Sequence, residues 1–176
     1  IMADQKVSVA SVESIEGAVN APPAVVSGRG RKGKNLSPTI NVPDIDWVTV
    51  PAGDFIYGKD SEQTSHYLDA FEIARYPVTN AQYQCFIDHD GYEHEKWWQA
   101  LKKPEIQASK WPQGNRPRTD VSGYEATAFT RWLSDWLNET IRLPNEHEWE
   151  KAARGENGFE YPWGVGYEAG DANVDE

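Results

Sequence analysis

Apolar residues recur at helical spacing in three stretches, and each stretch is preceded by a capping signal. Phe129, Trp132, Leu133, Trp136 and Leu137 fall at i, i+3, i+4, i+7 and i+8, the pattern of a long helix with one buried stripe. Ser122 and Glu125 form a capping box at its start. Thr79 and Gln82 form a second box, with Val78 set against Tyr83 as a hydrophobic staple and Tyr83, Phe86 and Ile87 as the inward stripe. Asn145 and Glu148 form a third; Trp149, Ala152 and Ala153 then share a helical face, which is expected to be the buried one. Lys151 and Arg154 suit the negative end of that helix dipole, and Gly155 supplies the stop. A shorter helix is expected over 93–102. There Trp97 and Trp98 are adjacent, so at most one should face the core squarely.

Period-two patterns mark the strands. Trp47 to Val50 alternates, Pro51-Ala52-Gly53 reads as a turn, and Phe55 to Tyr57 returns, which together predict a hairpin. Residues 62–66 read as a polar loop, and 68–76 as a single strand with Leu68, Ala70, Glu72 and Ala74 on one side and Asp69, Phe71, Ile73 and Arg75 on the other. Residues 140–143 form the next short strand, and Tyr161-Pro162-Trp163-Gly164 a rigid aromatic turn. Residues 1–44 contain no Phe, Tyr or Trp and are rich in Ala, Val, Ser, Gly and Pro, so they bury too little apolar area to offset their ordering entropy. They read as a flexible linker or tail, and 45–176 as the folded domain. The basic cluster Arg29, Arg31, Lys32 and Lys34 reads as part of that solvated linker, with an anion-contacting arm as the alternative.

Charge narrows the partners. The net charge is −11, from 28 acidic and 17 basic residues, and such a surface repels nucleic acid and anionic membrane. No apolar run approaches the ~18 residues that span a bilayer, and no secretory signal is visible. The chain opens Ile1-Met2, so an N-terminus further upstream is expected. Cys85 is the one cysteine, which excludes an internal disulfide and fits a reducing, cytoplasmic setting. It reads as a small buried hydrophobe, with a reactive thiol as the alternative. His89 and His94 lie among Asp88, Asp90, Glu93 and Glu95, at a spacing wrong for a helical metal pair; a solvated acidic loop is the preferred reading. Nucleophile-elbow, P-loop and dinucleotide motifs are missing, and His147-Glu148 lacks a second His four residues on, where Lys151 stands.

Several stretches, taken together and in this order, resemble one family. They are DWVTVPAGDFIYG, YPVTNAQYQCF, DVSGYEATAFTRWL, the run from Ile141 to Gly164, and Ala172-Asn173-Val174. The chain is similar to the first half of a formylglycine-generating-enzyme, or sulfatase-modifying-factor, domain. Tyr57 stands in place of a Met, and Gly123 in place of a Trp. The second change implies a repacked helix start, with a pocket there as the alternative. The resemblance implies an α+β, C-type-lectin-like fold of short strands, two or three amphipathic helices and much irregular loop. It further implies a structural calcium site to which the side chain of Asn173 and the carbonyl of Val174 contribute, oxygen ligation being what a hard cation needs. Catalytic members use a copper-binding cysteine pair beside an Arg-Gly-Gly-Ser-Trp strand in their C-terminal part. Neither the strand nor the pair is in this sequence, so copper is expected only if a C-terminal half elsewhere carries the pair.

The favoured expectation is a non-catalytic, lectin-like binding or accessory domain of a larger protein, taking a protein or peptide ligand. The C-terminal remainder of the same domain, on the same or a separate chain, is the expected partner that covers its apolar faces. The alternatives are the N-terminal fragment of a copper-dependent formylglycine-generating oxidase, and a substrate or product of a partner protease.

Overall fold

The computed structural model describes residues 43–172 and the backbone of Lys6 and Val7. Four helices and two small sheets make an α+β fold: β1 (Lys6–Val7), β2 (Trp47–Val50), β3 (Gly53–Tyr57), β4 (Thr64–Leu68), β5 (Phe71–Ala74), α1 (Asn80–Asp88), α2 (Glu95–Trp98), α3 (Gly123–Leu137), β6 (Ile141–Arg142) and α4 (Glu146–Arg154). The three long helices start where the capping boxes place them. Thr79, Ser122 and Asn145 each accept a hydrogen bond from the backbone N–H three residues on, and the Gln82, Glu125 and Glu148 side chains each reach back to the cap backbone. Asn138, in the left-handed conformation, closes α3.

The strands depart from the expected hairpin. β2 pairs antiparallel with β5, with Val48 opposite Ile73, whereas β3 pairs with β4, with Phe55 opposite His66. The 51–53 segment is therefore a corner between two sheets. Its carbonyls are claimed from outside the strands: the Lys151 ammonium donates to Pro51 and Gly53 at 2.8 and 2.9 Å. The single strand expected over 68–76 breaks at exposed Asp69 and Ala70 for the same reason, and the polar loop over 62–66 gives way to β4 from Thr64 onward. The larger sheet runs β2-β5-β1-β6, with β1 parallel to both neighbours. Lys6 and Val7 of the expected tail thus stand in the sheet, and the rest of 1–42 lies outside the described residues.

The core is an aromatic block between α1, α2 and α3. Val78, Tyr83, Phe86, Tyr92, Trp97, Trp98, Phe129, Trp132, Leu133 and Ile141 form one buried cluster. Tyr83 stacks on Phe129 with ring centres 5.4 Å apart, and Phe86 meets Trp132 edge-on at 5.7 Å, both favoured arrangements for ring quadrupoles. Trp97 and Trp98 are both buried, against expectation. A four-residue helix is too short to have an outer face when both its sides are covered. Arg131 of α3 donates to the carbonyls of Trp97 and Gln99, and the Trp98 indole donates to the Gly91 carbonyl at 2.8 Å. Trp136, assigned to the inward stripe, is instead exposed at the end of α3.

A polar thread runs through this block. Tyr92 donates to Glu125 at 2.6 Å, so the hydroxyl contact at 2.8 Å between Tyr83 and Tyr92 has Tyr83 as donor. Glu125 also accepts from the Ser122 backbone N–H and hydroxyl at 2.8 Å. Burial and the Glu125 carboxylate both hold the Tyr92 phenol far above its usual range, so it remains a donor.

Gly91 closes the block, because a Cβ there would lie 2.2 Å from the Phe86 ring. Gly91→Ala should lower stability by about 2 kcal/mol through overpacking, and Trp132→Ala by about 4 kcal/mol. Urea unfolding midpoints with unchanged m-values check both.

Candidate functional site: the charged underside and aromatic surface of α4

Helix α4 packs with its polar side inward. Glu148 is 6% exposed and Lys151 2%, whereas Trp149 is 46% exposed. Ala152 is exposed too. The expected buried face of Trp149, Ala152 and Ala153 is corrected accordingly. Hydrophobic periodicity misassigns this helix because what lies beneath it is backbone carbonyls and a guanidinium, and charged groups can be buried once they are paired. Arg142 of β6 grips Glu148 with two parallel hydrogen bonds, Nη1 to Oε2 at 2.7 Å and Nη2 to Oε1 at 2.5 Å. Lys151 binds the 51–53 corner. Arg154 pairs with Glu150 and also donates to the carbonyls of Gly58, Gly158 and Phe159. Glu150 in turn accepts from the Gly58 N–H at 2.8 Å. Gly158 turns at φ +60 with no room for a side chain, since a Cβ would sit 2.8 Å from Ile56.

Between α4 and the β3–β4 ribbon lies a four-ring cluster. Phe55 and Tyr57 of β3, His66 of β4 and His147 of α4 are in mutual contact. Tyr57 stacks on His147 at 4.3 Å. The Tyr57 phenol is pushed up, first by its hydrogen bond to the Glu146 carboxylate and then by burial. The cluster escapes a reading of the sequence because 81 positions separate His66 and His147, and only the ribbon's register brings them together.

Beyond α4 the chain presents aromatic rings outward. Tyr161 and Trp163 stack with centres 5.1 Å apart and planes 5° from parallel, and Tyr167 lies 5.7 Å from Tyr161. Reciprocal backbone bonds between Tyr161 and Gly164 fix the turn. Phe159, Trp163, Val165 and Tyr167 all remain exposed.

The other candidate residues have plainer surroundings. Cys85 is half-buried in α1, and its thiol donates to the Ala81 carbonyl at 3.4 Å. Burial first, and then the Asp88 carboxylate, push that thiol up, away from the thiolate a soft metal or nucleophile requires. His89 binds the Cys85 carbonyl at 2.6 Å, and His94 sits at the start of α2. Among the described residues no three His, Cys, Asp or Glu side chains converge as a metal-binding group. A Cβ at Gly123 would meet nothing within 4 Å, so the residue lines no closed pocket. Asn173 and Val174 lie outside the described residues.

Comparison with known proteins agrees with the fold. Residues 34–175 match the model of the sulfatase-modifying factor enzyme 1-like domain. The chain belongs to the sulfatase-modifying-factor family. The hercynine oxygenase of Mycobacterium tuberculosis is 34% identical over 143 residues, which is 66% of this chain and 32% of that protein. The hercynine oxygenase of Mycolicibacterium thermoresistibile is 33% identical over 145 residues, 65% of this chain and 30% of the relative. The formylglycine-generating enzyme of Bos taurus is 27% identical over 191 residues, 82% of this chain and 46% of the enzyme. The chain thus spans between 30% and 46% of these relatives' length. A copper pair of the kind the sequence resemblance implies needs two thiolates, and this sequence has one cysteine, so its own residues do not fit that group. Among the described residues no helix is long and apolar enough to cross a membrane.

The Arg142–Glu148 pair makes α4 acid-sensitive. Burial alone would raise the Glu148 carboxyl, but the Arg142 fork, the Asn145 N–H and the Arg142 charge outweigh it and hold the folded value below the unfolded one. Stability from this group is therefore present above the unfolded carboxylate range, about pH 4.3, and is lost as pH falls through the lower folded value. Glu148→Gln should cost about 3 kcal/mol at pH 7, the low end for a broken buried pair because Arg142 is partly exposed. It should also flatten the stability profile below about pH 5, as read by urea unfolding across pH.

Proposed function

We propose that this chain is the scaffolding and binding portion of a sulfatase-modifying-factor-family domain and contributes no redox centre of its own. The observation that carries the reading is the seating of Cys85, the chain's one thiol, inside α1 with its pKa raised and its hydrogen spent on a backbone carbonyl. Support comes also from the aromatic surface beyond α4. Exposed, rigid Trp and Tyr rings are the side chains that anchor interfaces. Its occupant is a protein or peptide segment, either a ligand or the remainder of the same domain. Relatives named oxygenase and formylglycine-generating enzyme favour the second over a free-standing lectin-like module. In that case the metal and its ligands come from residues outside this chain. An unpaired thiol suits a reducing, cytoplasmic setting.

Oxygen consumption by the purified chain with Cu(I), a thiol reductant and a cysteine-containing peptide tests the redox half of this reading. No turnover above free copper is expected; turnover abolished by Cys85→Ser overturns it. Trp149→Ala and Trp163→Ala test the surface half. Each should change stability by less than about 1 kcal/mol, as for residues outside the core, whereas a loss of about 3 kcal/mol or more, the cost of emptying a core aromatic site, would make them core.

A further inference from the structure

The four-ring cluster contains a pair of imidazoles to which the functional reading gives no role. His66 comes from β4 and His147 from α4, and their ring centres are 4.8 Å apart with planes at 54°. The geometry points to a two-histidine clip for a borderline divalent cation such as Zn²⁺ or Ni²⁺, fastening α4 to the β3–β4 ribbon. This inference is independent of the functional reading above.

The separation carries the argument. An ion about 2.1 Å from an imidazole nitrogen lies about 3.2 Å from that ring's centre, so two rings meeting one ion at about 100° have centres about 4.9 Å apart. The observed 4.8 Å matches that span. His66 also has the support that ligand histidines have. Its Nε2 lies 2.8 Å from the Thr64 hydroxyl, which fixes the ring and leaves Nδ1 as the ligating atom. Tyr57, stacked on His147 at 4.3 Å, holds the second ring. Imidazole ligands select Zn²⁺, Ni²⁺ or Cu²⁺ over Ca²⁺ and Mg²⁺. No third His, Cys, Asp or Glu among the described residues joins the pair, so water fills the remaining positions and the ion exchanges freely.

Isothermal titration of the whole chain with Ni²⁺ and with Zn²⁺, paired with thermal unfolding, tests the clip. Binding of one ion with a rise in melting temperature is expected. His66→Gln and His147→Gln should each weaken it at least tenfold, while His94→Gln leaves it unchanged. Thr64→Val should weaken it without affecting the metal-free melting temperature. Each variant's melting temperature in EDTA establishes that it is folded. With Cu²⁺, electron spin resonance should show two equatorial nitrogens that become one in either His variant. No binding at millimolar metal, or binding that His147→Gln leaves intact, overturns the clip.

Discussion

Two buried charges on one helix hold this fold's separate parts together. Glu148 ties α4 to β6 through the Arg142 fork, and Lys151 ties it to the corner where the chain leaves one sheet for the other. Neither contact resembles the aromatic core around Trp132, which would hold α1, α2 and α3 together without them. A buried ammonium survives here because its hydrogens find two backbone carbonyls at the corner between the sheets. Removing the ammonium leaves both carbonyls without this donor, and removing the carbonyls leaves a buried ammonium unpaired.

The consequence runs outward. With its charged side turned in, α4 turns Trp149 out, and Arg154 anchors the loop that leads to the stacked Tyr161 and Trp163. A surface aromatic held by a rigid turn loses little entropy on binding, which is why such residues serve as anchors. The same polar underside sets the distance between α4 and the β3–β4 ribbon, and so brings His147 within reach of His66. Scaffold, exposed aromatic surface and imidazole pair therefore depend on one set of buried charges.

Local signals in the sequence were read well where the structure is locally determined. All three capping boxes form as expected, because each is closed by residues three apart. The resemblance identified the family from short motifs in order. Pairing between strands was not legible: Pro51-Ala52-Gly53 reads as a hairpin turn, and only Lys151, about a hundred residues on, explains why it is a corner. The face of α4 was misassigned because an apolar stripe predicts burial only when the surface beneath is apolar. Trp97 and Trp98 were misjudged by treating a single helical turn as though it had a solvent side. The imidazole pair carries no signal in the sequence, since 81 positions separate the two histidines and only the packing of α4 on the β3–β4 ribbon brings them together.

The measurement that most directly tests the dependence on α4's buried charges is amide hydrogen exchange on Lys151→Met beside the parent chain. Methionine keeps the apolar stem and removes the ammonium, so the carbonyls of Pro51 and Gly53 lose their donor. The account predicts that protection is lost across α4 and the adjoining corner while α1 and α3 keep theirs. Unchanged protection in α4 would contradict it, and would mean that the helix is held by its neighbours in the chain rather than by the charges beneath it.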